Sequence, residues 1–281
     1  MTARPPLHQR LGFAADARLL IVNCDDVGSS HAANLACEQA MRDGLATSGT
    51  LMVPCPWARE AVGMFAGLDL GVHLTLTAEY PGYRWRTLTG AASLHDAEGY
   101  MPATVAELYA RMRPDDVRRE CRAQIEQALD WGVDVTHLDS HMGATHFDAG
   151  LFEIYLEMAE TFRLPLRMAS AEDEARLGYA GRARAAARGV AFPDILIAEW
   201  GRATRDVIHD RFPDLPPGIS EINIHPVIDG PELRGYDLRE ADIRVADHGC
   251  AHDAEIAGFV NAQGFTRISY RPLRDLQRSL A

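Results

Sequence analysis

The chain alternates short apolar runs with longer stretches of helical periodicity. The first apolar run, residues 19–22, leads into the adjacent carboxylates of Asp25 and Asp26 and then into a Gly-Ser-Ser turn. A short, uninterrupted apolar run that ends at turn residues is typical of a strand buried on both faces of a parallel sheet. Similar patterns predict further strands at 48–53, 70–76, 133–138, 164–168, 194–198, 219–225 and 266–269.

The stretches between these strands carry helical signals. Residues 114–131 begin with a proline, and apolar side chains recur there at i+4 spacing, which predicts an amphipathic helix. Other helices are predicted near 30–42, 57–65, 148–162, 199–211, 236–246 and 251–263, and a surface helix with a loop over 170–190. Strands that alternate with helices indicate a parallel α/β sheet. About seven strands without a G-x-G-x-x-G fingerprint favour a (β/α) barrel, with residues 1–17 as an arm and 18–281 as one domain.

Residues 77–102 form a long irregular stretch that is rich in aromatic residues. A loop of this length in a compact domain is usually a functional lid or a disordered segment. Its aromatic residues favour an ordered lid, and they could either stack on sugar rings or pack the loop onto the barrel. These are Tyr80, Tyr83, Trp85 and Tyr100.

Charge and cysteine usage narrow the range of partners. The formal net charge is −12 without a run of Lys or Arg, which argues against nucleic acid or an anionic membrane as the main partner. Five widely spaced cysteines without a C-x-x-C pair indicate free thiols in a reducing compartment. No secretory signal or stretch of transmembrane length is evident, so a cytoplasmic location is expected. Isologous dimers are common among enzymes, and a homodimer is the expected assembly.

Polar residues recur where the predicted strands end. In a (β/α) barrel these ends converge on one face, so residues far apart in the sequence meet in one pocket. One carboxylate and two imidazoles make a hydrolytic metal site with open positions for water and substrate. The residues concerned are Asp25, Asp26, His73, Asp139, His141, Arg167 and His225.

All of these residues except Arg167 also have a purely structural interpretation. Asp25 and Asp26 fit a solvated turn with a helix cap, and His73 fits a core histidine within an apolar strand. His141 fits a loop position with Asp139 as its hydrogen-bond partner, and His225 fits a capped strand end before a proline. The joint occurrence at strand ends favours the site, but spacing alone fixes no function.

Four segments resemble the signatures of one family. They are Leu-Ile-Val-Asn-Cys-Asp-Asp-Val-Gly at 20–28, Gly-Val-His-Leu at 71–74, Thr-His-Leu-Asp-Ser-His at 136–141 and Ile-His-Pro at 224–226. In this order they resemble the YdjC-like carbohydrate deacetylases, which include chitooligosaccharide deacetylases and are distant relatives of the NodB-type polysaccharide deacetylases. The resemblance runs from about residue 17 to near the C-terminus.

The resemblance implies a distorted (β/α) barrel that binds one divalent cation and removes an acetyl group from an N-acetylated sugar. It implies Asp26, His73 and His141 as metal ligands. It also implies Asp25 as general base, His225 as general acid, and an orienting role for Arg167 through Asp25. Two imidazoles and a carboxylate suit Zn²⁺, Co²⁺ or Ni²⁺ better than Mg²⁺, which remains open if waters complete the shell.

The sequence departs from the family pattern in places, and other functions stay open. Cys24 and Val27 stand where many relatives have Ala and Phe, which a buried strand end tolerates. Residues 142–145 separate His141 from His146, where chitooligosaccharide deacetylases continue with further histidines. This difference bears on the substrate more than on the chemistry. An esterase or non-sugar amidase with the same metal site, and a catalytically silent carbohydrate-binding protein, are the alternatives.

Overall fold

A parallel sheet organises the computed structural model, which describes residues 5–280. Within these residues the strands are β1 (Arg18–Val27), β2 (Ser48–Leu51), β3 (Leu70–Leu74), β4 (Leu138–Ser140), β5 (Ile195–Ile197), β6 (Gly218–Ile224) and β7 (Phe265–Arg267). The first helices are α1 (Leu7–Arg10), α2 (His31–Asp43), α3 (Ala58–Met64), α4 (Val105–Arg111), α5 (Pro114–Asp130) and α6 (Ala149–Phe162). The remaining helices are α7 (Ala171–Leu177), α8 (Gly181–Ala187), α9 (Thr204–Arg211), α10 (Pro231–Tyr236), α11 (Ala241–Ala251), α12 (Ala254–Ala262) and α13 (Arg271–Ser279).

The strands form one sheet in the order β4-β3-β2-β1-β6-β5, in which every pairing is parallel. β1 lies between other strands of this sheet, and its apolar residues are buried on both faces. It pairs with β6 along one side and, on the other, with β7 near its start and β2 near its end. Helices connect successive strands, as the parallel arrangement requires.

The sheet curves round toward closure through irregular backbone rather than through a further full strand. The Leu138 N–H donates to the Pro165 carbonyl at 3.0 Å and the Arg167 N–H to the Leu138 carbonyl at 2.9 Å. The strand predicted over 164–168 is therefore wrong as a strand, because only a single bridge joins Leu166 to Leu138. A proline in this segment removes one ladder donor. The distorted (β/α) barrel itself is confirmed.

Two glycines of the signature segments are required by close packing. Gly28 has φ of 91°, and a Cβ there would lie 2.9 Å from the Ala58 Cα, so the turn after β1 fits only glycine. In β3, a Cβ on Gly71 would lie 2.6 Å from ring atoms of His137. Both glycines therefore let neighbouring chain segments approach the sheet closely.

Several element boundaries differ from the sequence prediction. β4 begins at Leu138 rather than at 133, and residues 170–190 form two short helices, α7 and α8. α4 is an additional helix. α5 buries Val117, Cys121 and Ile125 as its periodicity predicts, but the last residue of that series, Leu129, is exposed.

The loop over 77–102 is tied firmly to the barrel. Buried Glu120 on α5 accepts hydrogen bonds from the backbone N–H groups of Leu88 and Thr89, both at 3.0 Å. The indole N–H of Trp85 donates to the Thr77 carbonyl at 2.7 Å. Tyr80 and Trp85 are buried in an apolar cluster with Tyr236 and Leu233, so these two rings pack the loop onto the barrel rather than present a sugar-binding face.

The described part of the predicted arm, residues 5–17, contains α1. Leu7, Leu11 and Phe13 pack against a buried cluster that includes Leu19 of β1. The division into an arm and one domain stays a prediction. All five cysteines are buried free thiols. Among residues 5–280, no helix combines the length and the apolar character needed to cross a membrane.

Candidate metal centre

The end of β1 departs from a regular strand at the two aspartates. The pairing with β2 changes register between Cys24 and Val27, and Asp26 has φ of 62°. Neighbouring side chains of a regular strand point to opposite faces. Here the irregularity and the left-handed residue turn the carboxylates of both Asp25 and Asp26 toward His73, and both are buried.

Strand register brings the other polar residues alongside. His73 of β3 lies directly opposite Asp139 of β4, and His73 Nδ1 is hydrogen-bonded to Asp139 Oδ1. Likewise Asn23 and Asn223 are register partners on β1 and β6. The parallel sheet thus places residues far apart in the sequence as neighbours at its carboxyl-terminal edge.

Asp26, His73 and His141 form a compact triangle of ligand atoms. Asp26 Oδ1 lies 3.4 Å from His73 Nε2 and 3.2 Å from His141 Nδ1. The two ring nitrogens are 3.3 Å apart. Ligands about 2.0–2.2 Å from a common transition-metal ion have this spacing. These buried residues could therefore hold one metal ion.

The outer atoms of both imidazoles are held by carboxylates. His73 Nδ1 contacts Asp139, and His141 Nε2 lies 3.0 Å from Glu79 Oε2. In the neutral rings this leaves lone pairs on His73 Nε2 and His141 Nδ1, the arrangement typical of metal-binding histidines. Among the described residues, buried Asp26 Oδ1 has no hydrogen-bond partner. Once both rings are neutral, three electron-pair donors therefore face one point, and this donor set fits a divalent transition-metal ion, which would displace the two ring protons on binding.

Asp25, His73 and Asp139 form a second group of potential ligands. Both carboxylates of this group already form ion pairs with one arginine. Arg167 Nη1 lies 2.6 Å from Asp25 Oδ2 and 2.7 Å from Asp139 Oδ2. The guanidinium supplies the positive charge between these carboxylates. The geometry therefore favours Asp26, His73 and His141 as the metal-binding group.

The charged side chains around the ligand triangle favour the binding of a cation there. Burial disfavours charged histidine, yet the surrounding carboxylates raise the pKa of His73 to about 9 and that of His141 to about 10. Burial would likewise raise the pKa of Asp26, but contacts with the two histidines and Arg244 hold it well below its usual value. The carboxylates outnumber the guanidinium groups, so the site attracts positive charge. These carboxylates and guanidinium groups belong to Asp25, Asp26, Glu79, Asp139, Arg167 and Arg244.

Asp25 is held by four donors. Arg167 binds both of its oxygens, at 2.6 and 2.7 Å. Asn23 donates to Oδ1 at 2.8 Å and Asn223 to Oδ2 at 3.1 Å. Burial alone would raise the pKa of Asp25, but Arg167 outweighs it and holds the pKa well below its ordinary value. Asp25 is therefore an oriented, ionised carboxylate beside the ligand triangle.

His225 stands next to Asp25, with its Nε2 3.7 Å from Asp25 Oδ2. Its backbone N–H donates to Asp247 Oδ2 at 2.8 Å, and burial lowers the pKa of its ring. The indole of Trp200 meets the imidazole edge-on, with ring centroids 4.6 Å apart. A cavity of about 60 Å³ opens beside these residues.

The structure brings the sequence-predicted site residues together, and it adds others that sequence reasoning missed. His146 lies outside the triangle and packs edge-on against Tyr155. The added residues are Asn23, Glu79, Trp200, Asn223, Arg244 and Asp247. Two of them carried a usable signal, because Asn23 and Asn223 stand two residues before Asp25 and His225 and so share a strand face with them. The others lie on loops and a helix, where spacing gives no such indication.

The sequence of this chain is similar to that of several known proteins. A family model described as YdjC-like protein matches residues 19–262. A carbohydrate deacetylase of Thermus thermophilus is 44% identical over 158 residues, which cover 56% of this chain and 56% of that protein. A carbohydrate deacetylase of Brevibacillus brevis is 36% identical over 151 residues, 53% of this chain and 58% of that protein. The chain thus matches little more than half the length of these curated relatives.

A solved structure supports the fold. A protein from Enterococcus faecalis V583, described as a candidate for cellobiose-phosphate cleavage, superposes with a TM-score of 0.78. The alignment covers 95% of this chain and 99% of that one at 24% sequence identity. At this identity the match establishes a common architecture and carries no statement about substrate.

Proposed function

Because this chain belongs to the YdjC-like protein family, we propose that it is a metal-dependent hydrolase that removes an acetyl group from an N-acetylated sugar. The observation that carries the proposal is the convergence of Asp26 Oδ1, His73 Nε2 and His141 Nδ1 within 3.2–3.4 Å of one another. Two matched relatives are named carbohydrate deacetylase, which supports acetylated sugars as the substrate class.

In the proposed reaction Asp26, His73 and His141 hold one divalent cation. When bound, the cation supplies Lewis-acid chemistry, which lowers the pKa of an attacking water and stabilises negative charge on the acetyl carbonyl oxygen. Two imidazoles and a carboxylate favour Zn²⁺ or a similar transition metal over Mg²⁺. Asp139 and Glu79 orient the two ligand histidines through their outer nitrogens.

Asp25 and His225 accept and donate protons in the proposed reaction. Asp25 is ionised and oriented by Arg167, so it accepts the proton of the attacking water. Its four donors must make room for this, and the bond from Asn223 is the longest, at 3.1 Å. Because burial lowers the pKa of His225, its ring is neutral at rest and must gain a proton before it acts as an acid. Its Nε2 lies 3.7 Å from Asp25 Oδ2, so one bridging water would carry the proton from Asp25 to His225, which then protonates the departing amine.

The test is acetate release from N-acetylated mono- and disaccharides. Metal-stripped protein receives Zn²⁺, Co²⁺, Ni²⁺ or Mg²⁺, with His73→Ala and His141→Ala as ligand controls. We expect release that depends on metal and that both variants lose together with metal content. Simple acetate esters and non-sugar acetamides run in parallel, and preference for either would replace the sugar in the proposal. Stoichiometric metal binding with no acetate from any compound would indicate a silent carbohydrate-binding protein.

A further inference from the structure

Arg244 is a buried guanidinium on α11, and each of its three nitrogens donates a hydrogen bond beside the candidate metal centre. Its Nη1 donates to Asp26 Oδ2 at 2.8 Å, its Nε to Asp237 Oδ2 at 2.9 Å, and its Nη2 to the hydroxyl of Tyr80 at 2.7 Å. Only 5% of the residue is exposed. A planar group bound on three sides has a single orientation, and so fixes the carboxylate that it contacts.

Because of the contact with Arg244, the two carboxylate oxygens of Asp26 have different surroundings. Oδ2 is occupied by Arg244, whereas Oδ1 faces the nitrogens of His73 and His141 and has no hydrogen-bond partner within residues 5–280. A carboxylate with two free oxygens can bind a cation through both or rotate between them. We propose that Arg244 is a positioning residue that restricts Asp26 to binding the metal through Oδ1 alone. This inference rests on the proposed function, because it requires a metal at that site.

A role in positioning predicts the opposite result from a role in charge balance. A guanidinium beside a metal ligand repels the incoming cation, so its charge alone weakens binding. If Arg244 only balanced charge, its removal would tighten metal binding, and lysine would replace it. If Arg244 positions Asp26, removal weakens binding, and lysine fails because an ammonium lacks the planar fork that holds three partners.

Arg244 also joins the metal ligand to the loop over 77–102. Tyr80, which accepts its third hydrogen bond, packs edge-on against Trp85 with ring centroids 6.1 Å apart. Trp85 in turn lies edge-on to the ring of His141, at 6.3 Å. Loss of the Tyr80 hydroxyl should therefore weaken metal binding in the same direction as loss of Arg244, but by less, because two of the three anchors of the guanidinium remain.

The experiment measures Zn²⁺ affinity by competition with a chromophoric chelator in the full-length wild-type protein and in Arg244→Gln, Arg244→Lys and Tyr80→Phe. We expect about 10–100-fold weaker binding in both Arg244 variants, as is typical when an outer partner of a metal ligand is lost. The matched control is Arg274→Gln, since Arg274 is an equally buried arginine that pairs with Asp134, outside the site. That control should bind Zn²⁺ like the wild type.

The outcomes separate this inference from the proposed function. Unchanged or tighter Zn²⁺ binding in folded Arg244→Gln, or wild-type affinity in Arg244→Lys, overturns the positioning role and leaves the metal centre intact. A wild-type chain that binds no divalent cation overturns both. If Arg244→Gln does not fold, Arg244→Lys decides, because it keeps a positive charge in the buried position but lacks the planar fork. Wild-type affinity in that variant then rejects the inference.

Discussion

Asp26 is the residue at which backbone strain and predicted chemistry coincide. Its φ of 62° is uncommon for a residue with a side chain, and such conformations persist where the surrounding structure enforces them. Here the enforcing contacts are the hydrogen bond from Arg244 to Oδ2 and the register change within β1. The strained turn separates two neighbouring carboxylates into different roles, since Asp25 pairs with Arg167 and Asp26 faces the histidines.

Asp25→Asn and Asp26→Asn should therefore fail in different ways. Asp25→Asn removes the proton acceptor but no metal ligand, so we expect acetate release to fall by about 10²–10⁴-fold with Zn²⁺ affinity close to that of the wild type. Arg167 keeps Asp139 and Glu221 as partners, which preserves the fold. Asp26→Asn should lose Zn²⁺ and activity together. Zn²⁺ content and initial rates measure both, and an active Asp25→Asn variant would remove Asp25 from the proton path.

At the residue scale, the sequence predicted best where strand geometry decides position. The carboxyl ends of parallel strands converge by the geometry of the fold, so Asp25, Asp26, His73, His141 and His225 could be placed in one pocket before any coordinates were known. Arg244 and Glu79 could not, because a helix and a long loop can approach a barrel in many ways. Their roles depend on tertiary packing, which produces no periodic pattern in the sequence.

Among the elements, α11 and the segment 198–203 shape the side of the site around His225. On α11, Arg244 and Asp247 are three residues apart and buried on the same face, where they contact Asp26 and His225 respectively. The segment 198–203 carries Trp200, which is 46% exposed although its indole N–H donates to Glu240 at 2.8 Å. A half-exposed aromatic ring that lines a cavity is suited to binding an apolar ligand face.

Trp200→Ala should therefore impair substrate binding more than chemistry. The variant removes an aromatic surface beside His225 without touching a predicted metal ligand. We therefore expect KM for an N-acetylated sugar to rise about 10-fold, or about 1.4 kcal/mol, which is near the upper end for one aromatic contact. Trp200→Phe should restore much of the affinity. Steady-state kinetics on one sugar substrate measures both variants. A lower kcat at unchanged KM would instead assign the indole to the positioning of His225.

Element boundaries were harder to predict than element types. The repeating apolar runs indicated the parallel barrel, because alternation of strand and helix leaves few other arrangements. The sequence predicted a strand over 164–168, but this segment makes only one bridge. It also favoured an ordered lid over 77–102, and Glu120 and the buried rings of Tyr80 and Trp85 fix this segment to the barrel. Apolar content shows that a segment is buried, but it does not show which backbone groups pair.

At the scale of the whole molecule, one pair of buried histidines has raised pKa values and another pair has lowered pKa values. His73 and His141 lie among carboxylates that raise their pKa values. His137 is stacked on Tyr270, with ring centroids 3.7 Å apart, and burial lowers its pKa to about 3. Burial and nearby Arg167 lower the pKa of His146 to about 4. In the metal-free fold the first pair therefore keeps its protons up to about pH 9, whereas the second pair stays neutral throughout the mildly acidic range.

The second pair makes the fold sensitive to mild acid. Below the ordinary histidine pKa of 6.5 the unfolded chain binds protons that folded His137 and His146 do not. Their contribution to stability is therefore complete above pH 6.5 and is lost as the pH falls toward 4 and 3. Each should lower the free energy of unfolding by up to about 1.4 kcal/mol per pH unit in this window. The raised pKa values of His73 and His141 act instead above pH 6.5, where their contribution is lost as the pH rises.

Urea unfolding of metal-free protein at about pH 6.5, 5.5 and 4.5 should show this decline, and His137→Phe should make it shallower. Phenylalanine keeps the stacking on Tyr270 but cannot gain a proton in the unfolded chain, so the contribution of His137 disappears. The Thr136 hydroxyl loses its 3.0 Å partner, which lowers stability at every pH and leaves the slope unaffected. The matched control is His252→Phe, at an exposed position, for which the wild-type slope is expected. Equal slopes in His137→Phe and wild type would show that burial of neutral His137 does not govern acid sensitivity.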